Sequence, residues 1–189
     1  MFKRIFLAVF AIAISIGVAI GQSAPQSSIA RPNNTTTYGA NTGWNNTAGT
    51  GYFTFAGACS FPGIDVIVSG VDVYSSANPT LKLTGYLFLF STPPVTPIAD
   101  GATFTIAAAT GNPPTGDYSN ITGTFSGISI GLGNNQASGA ANSGVSISGL
   151  TSISRCISTS LYGMFEVTNA YVPASGEVLT VIVHTLKQN

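Results

Sequence analysis

The sequence has 189 residues, of which only 6% are charged, and its six basic and six acidic side chains balance. Phosphate binding needs clustered lysine and arginine, so this composition argues against a nucleic-acid partner. Because 44% of the residues are hydrophobic, the chain can form a packed core under a surface of Thr, Ser, Asn and Gly.

The chain begins with the features of a secretory signal. Lys3 and Arg4 precede an apolar run at residues 5–20, which is shorter than the roughly 20 residues that a membrane-spanning helix needs. We therefore predict a signal peptide at residues 1–21, cleavage between Gly21 and Gln22, and a secreted product without stable membrane insertion. The alternative is a buried core helix or an uncleaved anchor.

The chain contains two cysteines, Cys59 and Cys156. Two cysteines in an exported domain commonly form one bridge, so we predict a disulfide between them. The alternative is a pair of buried free thiols, since cysteine also packs as a small hydrophobe. The length that remains after the signal suits one domain.

Residues 22–50 are rich in Asn, Thr, Ser, Gly and Pro and show little apolar periodicity. This composition predicts an extended N-terminal arm that becomes ordered only against a partner. We place the start of the folded domain near Gly51.

From residue 51 onward, short β-branched and aromatic runs alternate with clusters of turn residues, which predicts strands. The clearest strand is at residues 81–91, where leucines alternate with polar and aromatic residues. Within residues 64–74, Ser69 and Gly70 predict either a turn between two strands or a bulge. The remaining strands are predicted at residues 52–56, 102–107, 121–132, 144–153, 161–167 and 178–186.

These runs predict an all-β fold, a single antiparallel β-sandwich of about eight strands, jelly-roll-like, over residues 51–189. The Gly-rich and Asn-rich residues 131–144 are predicted to form a solvated loop.

Candidate catalytic groups are few. His184 is the only histidine and lies in an apolar strand pattern, which argues against a histidine-based triad or a multi-histidine zinc site. Glycoside hydrolysis needs only two carboxylates, so each acidic residue is a candidate acid or base. These residues are Asp65, Asp72, Asp100, Asp117, Glu166 and Glu177.

The contexts of these carboxylates favour structural roles. Asp100 and Asp117 stand beside glycine in predicted turns, where aspartate caps its own backbone. Asp65 and Asp72 have the spacing of outward strand positions, and Glu166 is expected to face solvent or to pair with Arg155. We therefore predict no enzymatic activity, no catalytic residue, no metal and no cofactor.

Two further groups of residues have both a structural and a functional interpretation. Trp44, with Tyr38 and Tyr52, either stacks on a sugar ring or packs as an aromatic plug under the arm, and the plug is favoured. Four asparagines begin N-x-S/T sequons, which a chain rich in Asn and Thr also produces by chance: Asn33, Asn34, Asn45 and Asn120.

Residues 159–177, TSLYGMFEVTNAYVPASGE, resemble the ending of small tailed-phage and prophage virion-associated proteins. Residues 30–32 with 36–38, residues 87–91 and residues 96–100 resemble the same group in the same order. The resemblance implies a β-sandwich protein that decorates a capsid or contributes to surface fibres, and it transfers no catalytic residue.

The expected function is therefore structural, and the expected partners are other copies of the chain or a capsid or filament lattice. The arm at residues 22–50 is the expected strand donor for an exposed sheet edge. The secretion signal and the disulfide favour a different origin, a secreted bacterial or archaeal pilus-like subunit or adhesin. A carbohydrate-binding module, with carbohydrate as partner, is the lesser alternative.

Overall fold

The computed structural model of this protein describes residues 20–46, 51–77, 82–96, 98–106, 116–131 and 143–188. These residues form ten strands and one short 3-10 helix, Asp117–Asn120, so the predicted all-β class is confirmed. The strands are β1 (Ile20–Ser23), β2 (Gln26–Ala30), β3 (Thr42–Trp44), β4 (Phe53–Ala56), β5 (Asp65–Ser75), β6 (Leu83–Phe90), β7 (Ile121–Ile130), β8 (Ser143–Arg155), β9 (Ser160–Val167) and β10 (Val178–Gln188).

The strands form two antiparallel sheets of five strands each. Sheet I has the order β1-β10-β5-β8, and β2 also pairs with β10. Sheet II has the order β3-β9-β6-β7, and β4 also pairs with β9. When β1 with β2, and β3 with β4, are each counted as one interrupted edge strand, this is the strand order of a jelly roll. The predicted jelly-roll-like sandwich is confirmed.

The core lies between the sheets and follows the alternation of side chains along each strand. In β6, Leu83, Leu87 and Leu89 are fully buried. A Cβ atom at Gly85 would overlap the ring of Phe165 and the Glu166 carbonyl oxygen on neighbouring β9. Glycine at this position therefore allows the two central strands of sheet II to approach each other.

Sheet II also has apolar side chains on its outer face. Phe90, Ile98 and Met164 form a second buried cluster there, and Phe104 stacks on Phe88 with ring centroids 5.2 Å apart. The connection between β6 and β7 supplies Ile98 and Phe104, and this cover explains why both faces of β6 become apolar toward its end.

The prediction of a strand at residues 102–107 is wrong for residues 102–106, which are the ones that the structure describes. Thr103 forms only an isolated bridge with Thr42, while Gly43 donates its N–H to Ala102 and Phe104 donates to Asn41. The segment is held by the short strand β3, so it offers too few backbone partners to extend into a ladder.

Residues 64–74 contain one strand and not two, because the interruption at Ser69 is a bulge. The pairing of β5 with β8 shifts register between Val68 and Gly70, and β10 shifts between His184 and Thr185. A bulge adds an unpaired residue and bends the strand without ending the ladder.

The predicted arm at residues 22–50 is corrected by the structure, because its described part belongs to the sandwich. β2 pairs with β10 and β3 pairs with β9, so each forms part of a sheet edge. Tyr38 and Trp44 are 1% and 3% exposed. The boundary near Gly51 therefore does not separate an arm from the domain, because the large apolar side chains of the segment, Ile29, Tyr38 and Trp44, lie in the core.

Cys59 and Cys156 form a disulfide, as predicted, with Cα atoms 6.1 Å apart. Hydrogen bonds surround the bridge: Gly63 donates its N–H to Cys156, and Cys156 donates to Ile64. The bridge thus joins the segment before β5 to the end of β8 at one end of the sandwich, which we call the disulfide end.

Two further predictions fall mainly outside the described residues. Most of the signal peptide, residues 1–19, and most of the predicted loop, residues 132–142, belong to this part of the chain. Gly21 and Gln22 lie in β1, opposite Lys187 and Leu186 of β10, and cleavage between them stays a prediction. Among the described residues, no helix has the length and apolarity to cross a membrane.

Candidate functional site

A buried ion pair connects the N-terminal segment to the connection between β6 and β7. Arg31 Nη2 lies 3.2 Å from Asp100 Oδ2, and the two side chains are 1% and 10% exposed. The Tyr38 hydroxyl and the Asn45 backbone N–H donate to the same carboxylate. Burial, and then the hydrogen bond to Asp100, raise the pKa of Tyr38 above its ordinary value. Asp100 therefore holds distant segments together and does more than cap its own turn.

Glu177 is a second buried carboxylate and is 1% exposed. It accepts hydrogen bonds from the Ser75 and Tyr171 hydroxyls and from the Ala174 N–H. Burial, together with the bond to Glu177, raises the pKa of Tyr171 above its ordinary value. With its oxygens occupied by these donors, Glu177 fixes the turn that leads into β10.

The other candidate carboxylates are separated from one another. Asp117, 1% exposed, accepts hydrogen bonds from the backbone N–H groups of Val95 and Thr96, so it anchors a distant loop. Burial raises the pKa of Glu166, which is partly exposed on β9. The expected pairing of Glu166 with Arg155 is wrong, because Arg155 pairs with Asp65 across sheet I at 3.4 Å.

Replacing Arg31 by methionine is expected to lower the free energy of unfolding by about 3 kcal/mol, because it leaves the buried Asp100 without its cation. The matched control is Arg155→Met, which breaks an ion pair whose side chains are 62% and 54% exposed. That change should cost less than about 1 kcal/mol. Urea denaturation measures both values, and equal losses would contradict the structural role of Arg31.

The outer face of sheet I contains a groove of about 420 Å³ where the strand pairing is irregular. The bulge at Ser69, which shifts the register with β10 after His184, and the break between β1 and β2 meet at this place. The lining is rich in hydroxyl groups and consists of Gln22, Ser23, Ala24, Ser69, Gly70, Ser146, Ile147, Ser148, His184, Thr185 and Leu186.

Asp72 links two lining residues of this groove. His184 Nε2 lies 2.8 Å from Asp72 Oδ2, and the Ser146 hydroxyl donates to Asp72 Oδ1. A nucleophilic triad needs the imidazole between the hydroxyl and the carboxylate, so that the imidazole can accept the hydroxyl proton. Here the carboxylate is in the middle, and the arrangement orients polar groups without activating the serine.

The three aromatic residues that were candidates for a plug or a sugar platform, Tyr38, Trp44 and Tyr52, lie in two places. Tyr38, Trp44 and Tyr171 pack together in the core, with Tyr38 and Trp44 stacked at 5.4 Å. Tyr52 instead packs edge-on against Tyr162 on the outer face of sheet II. Because Trp44 is 3% exposed and donates its indole N–H to Ile29, it serves as a core plug and not as a sugar platform.

The sequons differ in access. Asn45 is 1% exposed and donates its side-chain amide to Ile98. Asn120 donates its side-chain amide to Gly116, and Asn34 accepts from Arg31 and Thr36. Asn33 is exposed. Three of the four asparagines thus have structural hydrogen bonds through their side chains.

One surface feature was not predicted from the sequence. At the disulfide end of sheet I, Ile153, Ile67 and Leu186 lie opposite one another on β8, β5 and β10, and we call them the apolar row. Ile153 is 70% exposed and Ile67 is 39% exposed. The register of the three strands creates this row. The alternation within each strand could have indicated that the side chains face outward, but not that they are aligned.

No protein-family model, curated protein or solved structure shows significant similarity to this chain.

Proposed function

We propose that this chain is a structural, non-enzymatic protein that acts through assembly contacts at the surface of a virion, as a phage-type capsid decoration or fibre component. The observation that carries the proposal is the apolar row, which exposes large aliphatic side chains on the outer face of sheet I. The resemblance of residues 159–177 to virion-associated proteins supports the choice of a virion.

The composition and the disulfide are consistent with this role. A surface with few charges can pack against a copy of itself or a lattice without burying unpaired ions. A bridge between Cys59 and Cys156 is suited to the oxidising conditions outside the cell. The disulfide and the predicted signal favour the alternative, a secreted pilus-like subunit or adhesin of a bacterium or archaeon.

Immunogold electron microscopy of native material separates these functions. An antibody raised against the purified protein should label capsids or their fibres if the protein is virion-associated. Label along cell-surface filaments would favour the pilus-like alternative. Protein recovered only as free monomers, with label on neither particles nor filaments, would contradict an assembly function.

The hydroxyl-lined groove favours a second candidate function, carbohydrate binding. Its volume of about 420 Å³ lies within the range of small-ligand sites, and Asp72 and His184 supply oriented polar groups at its edge. A glycan array tests this candidate. Asp72→Asn should weaken any binding, whereas Asp65→Asn, a change on the same strand outside the groove, should leave it unchanged.

A further inference from the structure

The apolar row is bordered by one positive and one negative charge. Asp65 and Arg155 lie opposite each other on β5 and β8, two residues along the strands from the opposed pair Ile67 and Ile153. The side chains of Asp65 and Arg155 are 54% and 62% exposed. The surface therefore combines an apolar centre with a charged border whose net charge is zero.

This pattern is complementary to itself under a two-fold rotation. Two copies can pack face to face through this surface. A two-fold axis that lies in the contact plane, parallel to the strands and midway between β5 and β8, places β5 of each copy over β8 of the other. Ile67 then faces the partner's Ile153, and Asp65 faces the partner's Arg155. Each charge faces one opposite charge, so the dimer contains two such pairs, and the isoleucine side chains cover one another.

The same pattern is poorly suited to a strongly charged partner. A polyanion or a basic surface would meet one like charge for each opposite charge at this border. In a chain with only six acidic and six basic residues, a second copy supplies the low charge and the exposed aliphatic groups that this face requires. Phe61 and Ile157 are further exposed apolar residues at this end, 63% and 56% exposed in the loops beside the disulfide.

We propose that the disulfide end of sheet I is a homodimer interface, in which two copies pack about a two-fold axis through Ile67 and Ile153 of their apolar rows. The inference rests on the proposed assembly function and names the partner and the surface. The dimer would be the unit that binds to a capsid surface or is incorporated into a filament.

Sedimentation velocity of the exported protein over a range of concentrations tests the interface. Wild type should sediment as a dimer, and Ile153→Arg should raise the dimer dissociation constant by about 100-fold or more, because the change acts twice in a symmetric dimer. The control is Val95→Arg, since Val95 is 72% exposed but lies outside sheet I. It should leave the dimer unchanged, and thermal melting should show that both variants fold.

A charge exchange tests the two-fold geometry itself. Asp65→Arg and Arg155→Asp should each weaken the homodimer by at least about tenfold, because like charges then face each other. Mixed in equal amounts, the two variants should form a one-to-one heterodimer. Failure of the mixture to associate would overturn the proposed axis.

The outcomes separate this inference from the proposed function. A wild-type protein that sediments as a monomer, yet labels particles or filaments by immunogold, overturns the dimer and leaves the assembly function standing. Dimers that Ile153→Arg does not affect place the interface elsewhere and also overturn the inference. Monomers that label neither structure overturn both.

Discussion

Deletion of residues 1–50 is expected to abolish cooperative folding. The deletion removes β2 and β3, which pair with β10 and β9 at the edges of both sheets. It also removes Ile29, Tyr38 and Trp44 from the core. Truncating a single buried aromatic residue costs about 3–5 kcal/mol, and a whole domain is stable by only about 5–15 kcal/mol. The losses therefore exceed what the remaining chain can tolerate.

Near-ultraviolet circular dichroism and thermal melting measure this effect. The matched control is deletion of residues 1–21, which corresponds to the predicted mature protein and keeps β2, β3 and the Arg31–Asp100 ion pair. This shorter deletion should melt cooperatively. A cooperative transition in the protein that lacks residues 1–50 would show that β2 and β3 are dispensable.

This expectation replaces the hypothesis that residues 22–50 donate a strand to a neighbouring molecule. β2 hydrogen-bonds to β10 of its own chain, and Arg31 donates its backbone N–H to Glu177. Withdrawing the segment would expose the buried Asp100 and Glu177 carboxylates together with the core. Assembly through the outer face of sheet I avoids this cost, since it leaves every strand in place.

Removing the disulfide by the double change Cys59→Ala and Cys156→Ala should lower the free energy of unfolding by about 4–5 kcal/mol on the chain-entropy model. The bridge closes a loop between residues 97 apart in sequence, so it restricts the unfolded chain strongly. Both positions are buried, and alanine removes only one sulfur atom from each. The folded state should therefore change little.

Urea denaturation of wild type and the double variant measures the loss. Wild type unfolded in the presence of a reductant is the control, and it should lose stability by a similar amount. A double variant with the same midpoint and slope as oxidised wild type would mean that the unfolded chain is already restricted without the bridge.

The all-β class and most of the individual strands could be predicted from the sequence alone. The alternation in β6, and the short β-branched runs that became β7, β9 and β10, are local patterns of period two. The disulfide was also predictable, because the chain has two cysteines and these allow one pairing. These conclusions depend on neighbouring residues and on composition, which a sequence displays directly.

The identity of neighbouring strands and of paired polar groups depends on the folded arrangement of the whole chain. Arg31 and Asp100 are 69 residues apart, Ser75 and Glu177 are 102 apart, and Asp72 and His184 are 112 apart. No local pattern specifies such pairs, because they follow from strand order and from register, which a single bulge at Ser69 changes. The same register aligns Ile67, Ile153 and Leu186. A polar segment such as residues 22–50 could therefore be judged an arm from its composition, although a few buried side chains and backbone hydrogen bonds to β9 and β10 make it part of the domain.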